Sequence, residues 1–85
     1  MKLREGFRLR KVGNKYIVVG LGGINFTGLI TVNDTGAFIW HMLEKGAETG
    51  EIIDALAKEC DVEPMSIASE VAAFIYKLKG AGFIE

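Results

Sequence analysis

The sequence predicts an α+β domain in which a three-stranded antiparallel sheet is followed by a bundle of three helices. Residues 7–32 alternate apolar and polar side chains or are rich in β-branched ones, which is typical of strands. From residue 33 onward, apolar side chains recur at the three- and four-residue spacing of amphipathic helices. Glycine, asparagine and proline stand where one pattern gives way to the next, as expected of turns and helix ends.

The first two predicted strands form a β-hairpin. Residues 7–12 alternate in polarity, Gly13-Asn14 is a two-residue turn signal, and residues 15–21 are rich in β-branched side chains. A loop of two residues fixes the register of the hairpin, because the residues on either side of it must pair.

This register pairs Leu9 with Val18 and Arg10 with Ile17, so that alternate residues share a face. The face expected to pack on the core holds Phe7, Leu9, Tyr16 and Val18. The opposite face holds Arg8, Arg10, Ile17 and Val19. Arginine stems can cover the aliphatic side chains there while their charged ends stay in water.

The third predicted strand covers residues 26–32 and follows a glycine-rich connection. Its alternation places Phe26, Ile30 and Val32 on the core side. Short connections favour the strand order 1-2-3, which leaves the third strand at an edge of the sheet.

Three helices are predicted after the sheet. Asn33 or Asp34 is suited to cap the first helix, and Thr49 the second. Pro64 is placed to open the third helix at its first position. The core stripe expected on the third helix consists of Ile67, Val71, Phe74 and Leu78.

Length and charge limit the classes of protein to consider. The 85 residues suit one domain, residues 1–85, with a thin core. Residues 1–16 carry six basic groups against one acidic group, whereas residues 33–85 carry four basic against ten acidic groups. The longest apolar stretch, residues 17–24, is far below the roughly 20 residues that span a bilayer, and no signal-peptide pattern begins the chain. We therefore expect a cytoplasmic protein without membrane contact.

Candidate catalytic and metal-binding residues are few. His41 is the only histidine and Cys60 the only cysteine, so neither a disulfide nor a zinc site is expected. We expect Cys60 to lie near the core and His41 on the polar face of the first helix. No base stands in an obvious relation to Ser66 or Ser69, as a nucleophile would require. The sequence therefore predicts no catalytic residues, no metal and no cofactor.

A winged helix-turn-helix-like DNA-binding regulator is the main alternative, since three helices beside a small sheet are typical of that class. A recognition helix brings Lys and Arg to phosphates, whereas the third helix offers only Lys77 and Lys79. Nucleic acid is therefore not expected as a partner. A purely structural subunit of a larger complex is a third alternative.

The junction of the third strand and the first helix resembles the PqqD family. Residues 26–40 read Phe-Thr-Gly-Leu-Ile-Thr-Val-Asn-Asp-Thr-Gly-Ala-Phe-Ile-Trp, a pattern that is quite specific to this family. Further similarity lies at Leu43-Glu44, at the Thr-x-x-Ile motif beginning at Thr49, at residues 60–62 and at residues 78–84. Position 60 is often aromatic in relatives, and a serine-type cap is common where Glu63 stands.

The resemblance implies a fold like that of a winged helix-turn-helix domain, with three antiparallel strands packed on three helices. It also implies the function of a peptide chaperone, the recognition element of systems that modify ribosomally synthesised peptides. The leader segment of a precursor would add a strand to the third strand and lie against the third helix. The partner is usually a radical S-adenosylmethionine enzyme, and whether the chain also forms a homodimer stays open. The residues expected to bind the leader are Thr27, Gly28, Leu29, Ile30, Thr31, Ala68, Ala72, Ile75 and Lys79. The surface expected to meet the partner enzyme consists of Arg8, Arg10, Ile17 and Val19.

Overall fold

The computed structural model of the chain describes residues 2–20 and 30–84. The elements, in chain order, are the strands β1 (Phe7–Val12), β2 (Lys15–Gly20) and β3 (Ile30–Val32) and the helices α1 (Asp34–Glu44), α2 (Thr49–Cys60) and α3 (Pro64–Gly80). The predicted α+β class, with an antiparallel sheet and three helices, is confirmed. No helix in the described ranges is long and apolar enough to cross a membrane.

The hairpin has the register that its turn predicts. Val12 lies opposite Lys15, Leu9 opposite Val18, and Arg10 opposite Ile17. The loop requires a left-handed backbone, which Gly13 supplies with a φ of 64°. The side chain of Val18 is fully buried, so the face predicted to pack on the core does so.

The sheet continues from β2 to β3 in the order β1-β2-β3. The β3 pairing is antiparallel and sets Tyr16 opposite Val32 and Val18 opposite Ile30. The strand predicted for residues 26–32 thus agrees with the structure over its last three residues, and its first part, residues 26–29, lies outside the described residues. Among the strands in residues 2–20 and 30–84, β1 and β3 are the two at the edges of the sheet.

Helix caps position the first two helices. Asn33 caps α1, because its side-chain oxygen accepts a hydrogen bond from the backbone N–H of Gly36 at 2.8 Å. The prediction that Thr49 caps α2 is wrong by one residue, since Glu48 is the cap. The backbone N–H of Glu48 donates to the Glu51 carboxylate at 3.0 Å, which satisfies an amide at the helix start.

The core is organised around Phe83, a fully buried side chain just after α3. Its ring meets the ring of Phe7 edge-on at a centroid distance of 4.7 Å, and the ring of Trp40 at 5.8 Å. The backbone of Phe83 also accepts a hydrogen bond from the N–H of Arg4 at 2.7 Å. The C-terminal segment therefore joins the sheet to α1 and to the segment before β1.

Two predictions about core residues need correction. Cys60, expected near the core, is exposed at the end of α2. Ile75, expected beside the core stripe of α3, is only 5% exposed and packs in the core, whereas Phe74 of the predicted stripe is only partly buried. The centre of the buried face of α3 thus lies nearer Ile75 than the predicted stripe implied.

Candidate functional site

A groove lies between the start of α1 and one flank of α3, next to the end of β3. Its cavity has a volume of about 230 Å³. The residues that line it are Asn33, Thr35, Gly36, Ile39, Glu70, Ala73, Phe74 and Lys77. We call this cavity the β3–α3 groove.

The absence of a side chain at Gly36 brings the walls of the groove together. A Cβ at this position would lie 3.0 Å from Cε1 of Phe74 and 3.1 Å from Cβ of Val32. Glycine therefore allows the ring of Phe74 to approach both the first turn of α1 and the end of β3. The end of β3 and one flank of α3 therefore lie close together on either side of Gly36, next to the groove.

The floor of the β3–α3 groove is apolar and its rim is charged. Ile39 is fully buried and Phe74 partly buried, while Ala73 is exposed and too small to fill the space above them. Glu70 and Lys77, two helical turns apart on α3, are both exposed on the same flank. This arrangement can receive an apolar side chain and place a charge of either sign beside it.

The edge of β3 adds a second kind of contact. β3 pairs with β2 on one side and has no strand on its other side in the described part of the chain. In an antiparallel ladder every second residue directs its backbone N–H and C=O away from the paired strand. Such groups can pair with an extended peptide.

Three of the α3 residues predicted from the sequence lie together, but on the other flank of the helix. Ala72, Ile75 and Lys79 line a cavity of about 220 Å³ with Thr49 and Tyr76. Thr49 begins α2, so this cavity lies between α2 and α3 and not beside β3. Ala68, the fourth predicted residue, is partly buried.

The two flanks of α3 look alike in the sequence because both adjoin the same core stripe. At about 100° per residue, Ala68, Ala72 and Lys79 fall on one side of the buried face, and Glu70, Ala73 and Lys77 on the other. Gly36 was the signal that could have distinguished them. A glycine inside a helical pattern often marks a close approach by another element, here α3.

The remaining predicted residues divide between described and undescribed parts of the chain. Ile30 and Thr31 belong to β3, whereas Thr27, Gly28 and Leu29 lie outside the described residues. Arg8 lies opposite Val19 and Arg10 opposite Ile17, so these four share one face of the hairpin, as the register predicts. Their role as a partner surface stays a prediction.

The polar residues considered for catalysis lie on the surface. His41 is exposed on the last turn of α1, as predicted, and its Nδ1 lies 2.8 Å from the Glu44 carboxylate one turn away. In residues 2–20 and 30–84, no group of three or more His, Cys, Asp or Glu side chains is arranged to hold a metal ion.

This fold is shared with two solved structures, which defines the chain as a small α+β domain of a known type. One is described as "TbiB1 in Complex with the TbiA(beta) Leader Peptide", with a TM-score of 0.81 and 21% identity over 100% of this chain and 95% of that chain. The other is described as "Lasso peptide synthetase B1 complexed with the leader peptide", with a TM-score of 0.79 and 23% identity over 99% of this chain and 95% of that chain.

The family follows from the sequence itself. The family model described as "Coenzyme PQQ synthesis protein D (PqqD)" matches residues 16–84, and the chain belongs to this family. A comparison with curated proteins gives no match.

Proposed function

We propose that this chain binds the leader segment of a ribosomally synthesised precursor peptide and presents it to a separate modifying enzyme. The observation that carries the proposal is the contact of Gly36 with Phe74 and Val32, which joins the edge of β3 to an apolar groove on α3. Family membership supports the proposal, as do the two similar folds that were solved with leader peptides.

The leader would bind by adding a strand to β3. Backbone hydrogen bonds along the edge would supply affinity for any extended peptide, and the groove would select the side chains at alternate positions. An apolar leader residue would rest on Phe74 and Ile39, above Ala73. The residues Thr27, Gly28 and Leu29 would extend the accepting edge beyond Ile30 and Thr31.

The groove wall that we propose is the flank of α3 with Glu70, Ala73 and Lys77. The flank with Ala68, Ala72, Ile75 and Lys79 is the alternative that the sequence favoured. Two arguments support the first flank: it lines the same cavity as Asn33, which directly follows β3, and Phe74 and Val32 both lie close to Gly36. The second flank shares its cavity with α2.

We further propose that the chain has no catalytic activity and depends on an enzyme partner, for which a radical S-adenosylmethionine enzyme is the candidate. On this proposal, the winged-helix-like fold of three strands and three helices binds a peptide and not DNA. The positions of His41, in the last turn of α1 and hydrogen-bonded to Glu44, and of Ser66, in the first turn of α3, support this, because nucleophilic catalysis needs a base and a nucleophile in contact.

The test is a titration with synthetic peptides copied from the short reading frames that neighbour the gene. Calorimetry would measure the affinity, and amide chemical shifts of the labelled protein would locate the site. We expect the largest shift changes at Ile30–Val32 and at Glu70, Ala73, Phe74 and Lys77. Changes confined to Thr49, Ala72, Tyr76 and Lys79 would place the peptide on the other flank, and no binding by any peptide would contradict the proposal.

A further inference from the structure

The sheet has a second edge, β1, on the side away from β3. In the part of the chain that the structure describes, β1 pairs with β2 alone. It is six residues long and carries Arg8, Arg10 and Lys11 without an acidic residue. Cations on an edge strand discourage pairing with another copy of the same strand, because like charges would then lie opposite each other.

The outer face of the hairpin continues this basic edge. The register pairs Arg8 with Val19, Arg10 with Ile17, and Val12 with Lys15, and paired residues share a face. Three cations thus alternate with three aliphatic side chains, and no carboxylate lies among them. Val12, next to the turn, is 57% exposed.

A cavity of mixed charge lies next to the start of β1. Its volume is about 450 Å³, and its lining includes the cations Lys2, Arg4 and Arg8 and the carboxylates Glu5 and Glu44. Residues 3 and 4 pair with the C-terminal segment, through the Leu3–Ile84 bridge and the hydrogen bond from the Arg4 N–H to the Phe83 carbonyl. Among the described residues, the edge that remains for a partner strand on this side of the sheet is therefore β1 itself.

We propose that the β1 edge and the outer face of the hairpin form a second docking site, which takes an acidic β-strand of a partner protein. Backbone pairing along β1 would hold the strand, and its Asp or Glu side chains would meet Arg8 and Arg10. An apolar residue of the partner on the same face would lie beside Val12. The site lies at the opposite edge of the sheet from β3, so a leader and this partner can bind together.

Charge distinguishes this partner from the other candidates. A second copy would place cations opposite cations. Nucleic acid would gain nothing from the exposed aliphatic side chains, and it would be repelled by residues 33–85, which carry four basic groups against ten acidic groups. An acidic strand satisfies the backbone groups, the cations and the aliphatic side chains at once.

The experiment uses the whole chain, isotope-labelled, and a synthetic capped peptide, Val-Thr-Glu-Thr-Glu-Thr, whose Val and Glu side chains share one face and, in an antiparallel pairing with β1, lie opposite Val12, Arg10 and Arg8. The same peptide with Lys in place of Glu is the matched control. We expect amide shift changes along Phe7–Val12 with the Glu peptide only. In Arg8→Glu/Arg10→Glu the affinity should fall by about tenfold or more, in line with the loss of two charge pairs. Circular dichroism would confirm the fold, and Arg8→Gln/Arg10→Gln should give a smaller loss in the same direction.

Several outcomes would overturn the proposal. These are equal binding of both peptides, shift changes at β3 in place of β1, and no binding at all. A dimer in sedimentation that the double variant abolishes would assign the surface to a second copy. Tighter binding of duplex DNA or of anionic phospholipid vesicles than of the Glu peptide, lost in the same variant, would assign it to those partners. Leader binding is measured separately at β3, so either proposal can fail while the other stands.

Discussion

Gly36 lies against the ring of Phe74, so closely that a Cβ on Gly36 would come within 3.0 Å of Cε1 and 3.1 Å of Cζ of the ring. The same Cβ would lie 3.1 Å from Cβ of Val32. The first turn of α1, the end of β3 and one flank of α3 therefore meet at a single residue without a side chain.

We expect Gly36→Ala to lower the free energy of unfolding by about 1 kcal/mol. Overpacking by the added Cβ destabilises a protein by about 1–3 kcal/mol, and the better helix propensity of alanine offsets up to about 1 kcal/mol of this loss. The Phe74 ring can shift toward solvent, but Cβ of Val32 is held by the strand. Urea unfolding followed by circular dichroism would measure the change.

Gly50 provides the matched control, since it also lies in the first turn of a helix and a Cβ there meets no atom within 4 Å. Gly50→Ala should leave stability unchanged or raise it by up to about 1 kcal/mol. Equal effects of the two substitutions would show that the contact with Phe74 does not constrain the fold.

The hairpin and its register could be predicted from the sequence because local chemistry determines both. A two-residue turn leaves one register, and Gly13 supplies the backbone that the turn requires. The helices were predictable for a similar reason, since Pro64 marks the start of α3 and Asn33 that of α1.

The flank of α3 that faces β3 could not be predicted from the spacing of residues on α3 alone, because it depends on how α3 is rotated against α2 and the sheet. The stripe Ile67, Val71 and Leu78 is compatible with either neighbour, Phe74 or Ile75, as the next core residue. The structure buries Ile75 and leaves Phe74 at the groove. That choice arises from packing between elements distant in sequence, which periodicity does not encode.

Loss of the α1 cap should destabilise the protein measurably. The oxygen of Asn33 accepts the Gly36 amide at 2.8 Å, and Asn33→Ala would leave that donor to water. We expect a loss of about 1 kcal/mol in the free energy of unfolding. Asn33→Asp retains an acceptor and adds a favourable charge at the helix start, so it should stay within about 0.5 kcal/mol of wild type. An Asn33→Ala variant as stable as wild type would contradict the role of this cap.

Trp40 and Phe83 should respond differently to substitution although their rings are in contact. The indole Nε1 of Trp40 is buried and has no hydrogen-bond acceptor among the described residues. Trp40→Phe removes this unpaired donor, which offsets part of the lost packing, so we expect a cost below about 2 kcal/mol. Phe83→Ala deletes a fully buried ring that contacts both Phe7 and Trp40, and it should cost about 3–5 kcal/mol. Chemical denaturation followed by far-ultraviolet circular dichroism would compare them, and a larger loss in Trp40→Phe would contradict the account.

Substitutions of Ala72 and Ala73 would show which flank of α3 receives the leader peptide. Both are exposed alanines on one helix, but Ala73 lines the β3–α3 groove and Ala72 the cavity beside α2. Ala73→Glu would fill the space above Phe74 and place a carboxylate against the apolar surface of the leader. We expect this change to weaken leader binding by about 2 kcal/mol, or roughly thirtyfold, while stability changes little.

The matched control is Ala72→Glu, which should leave the affinity within about twofold, because the side chain at position 72 points to the other flank. Calorimetric titration of both variants with the same leader peptide would measure the difference, and a loss confined to Ala72→Glu would move the binding site to the flank with Ile75 and Lys79.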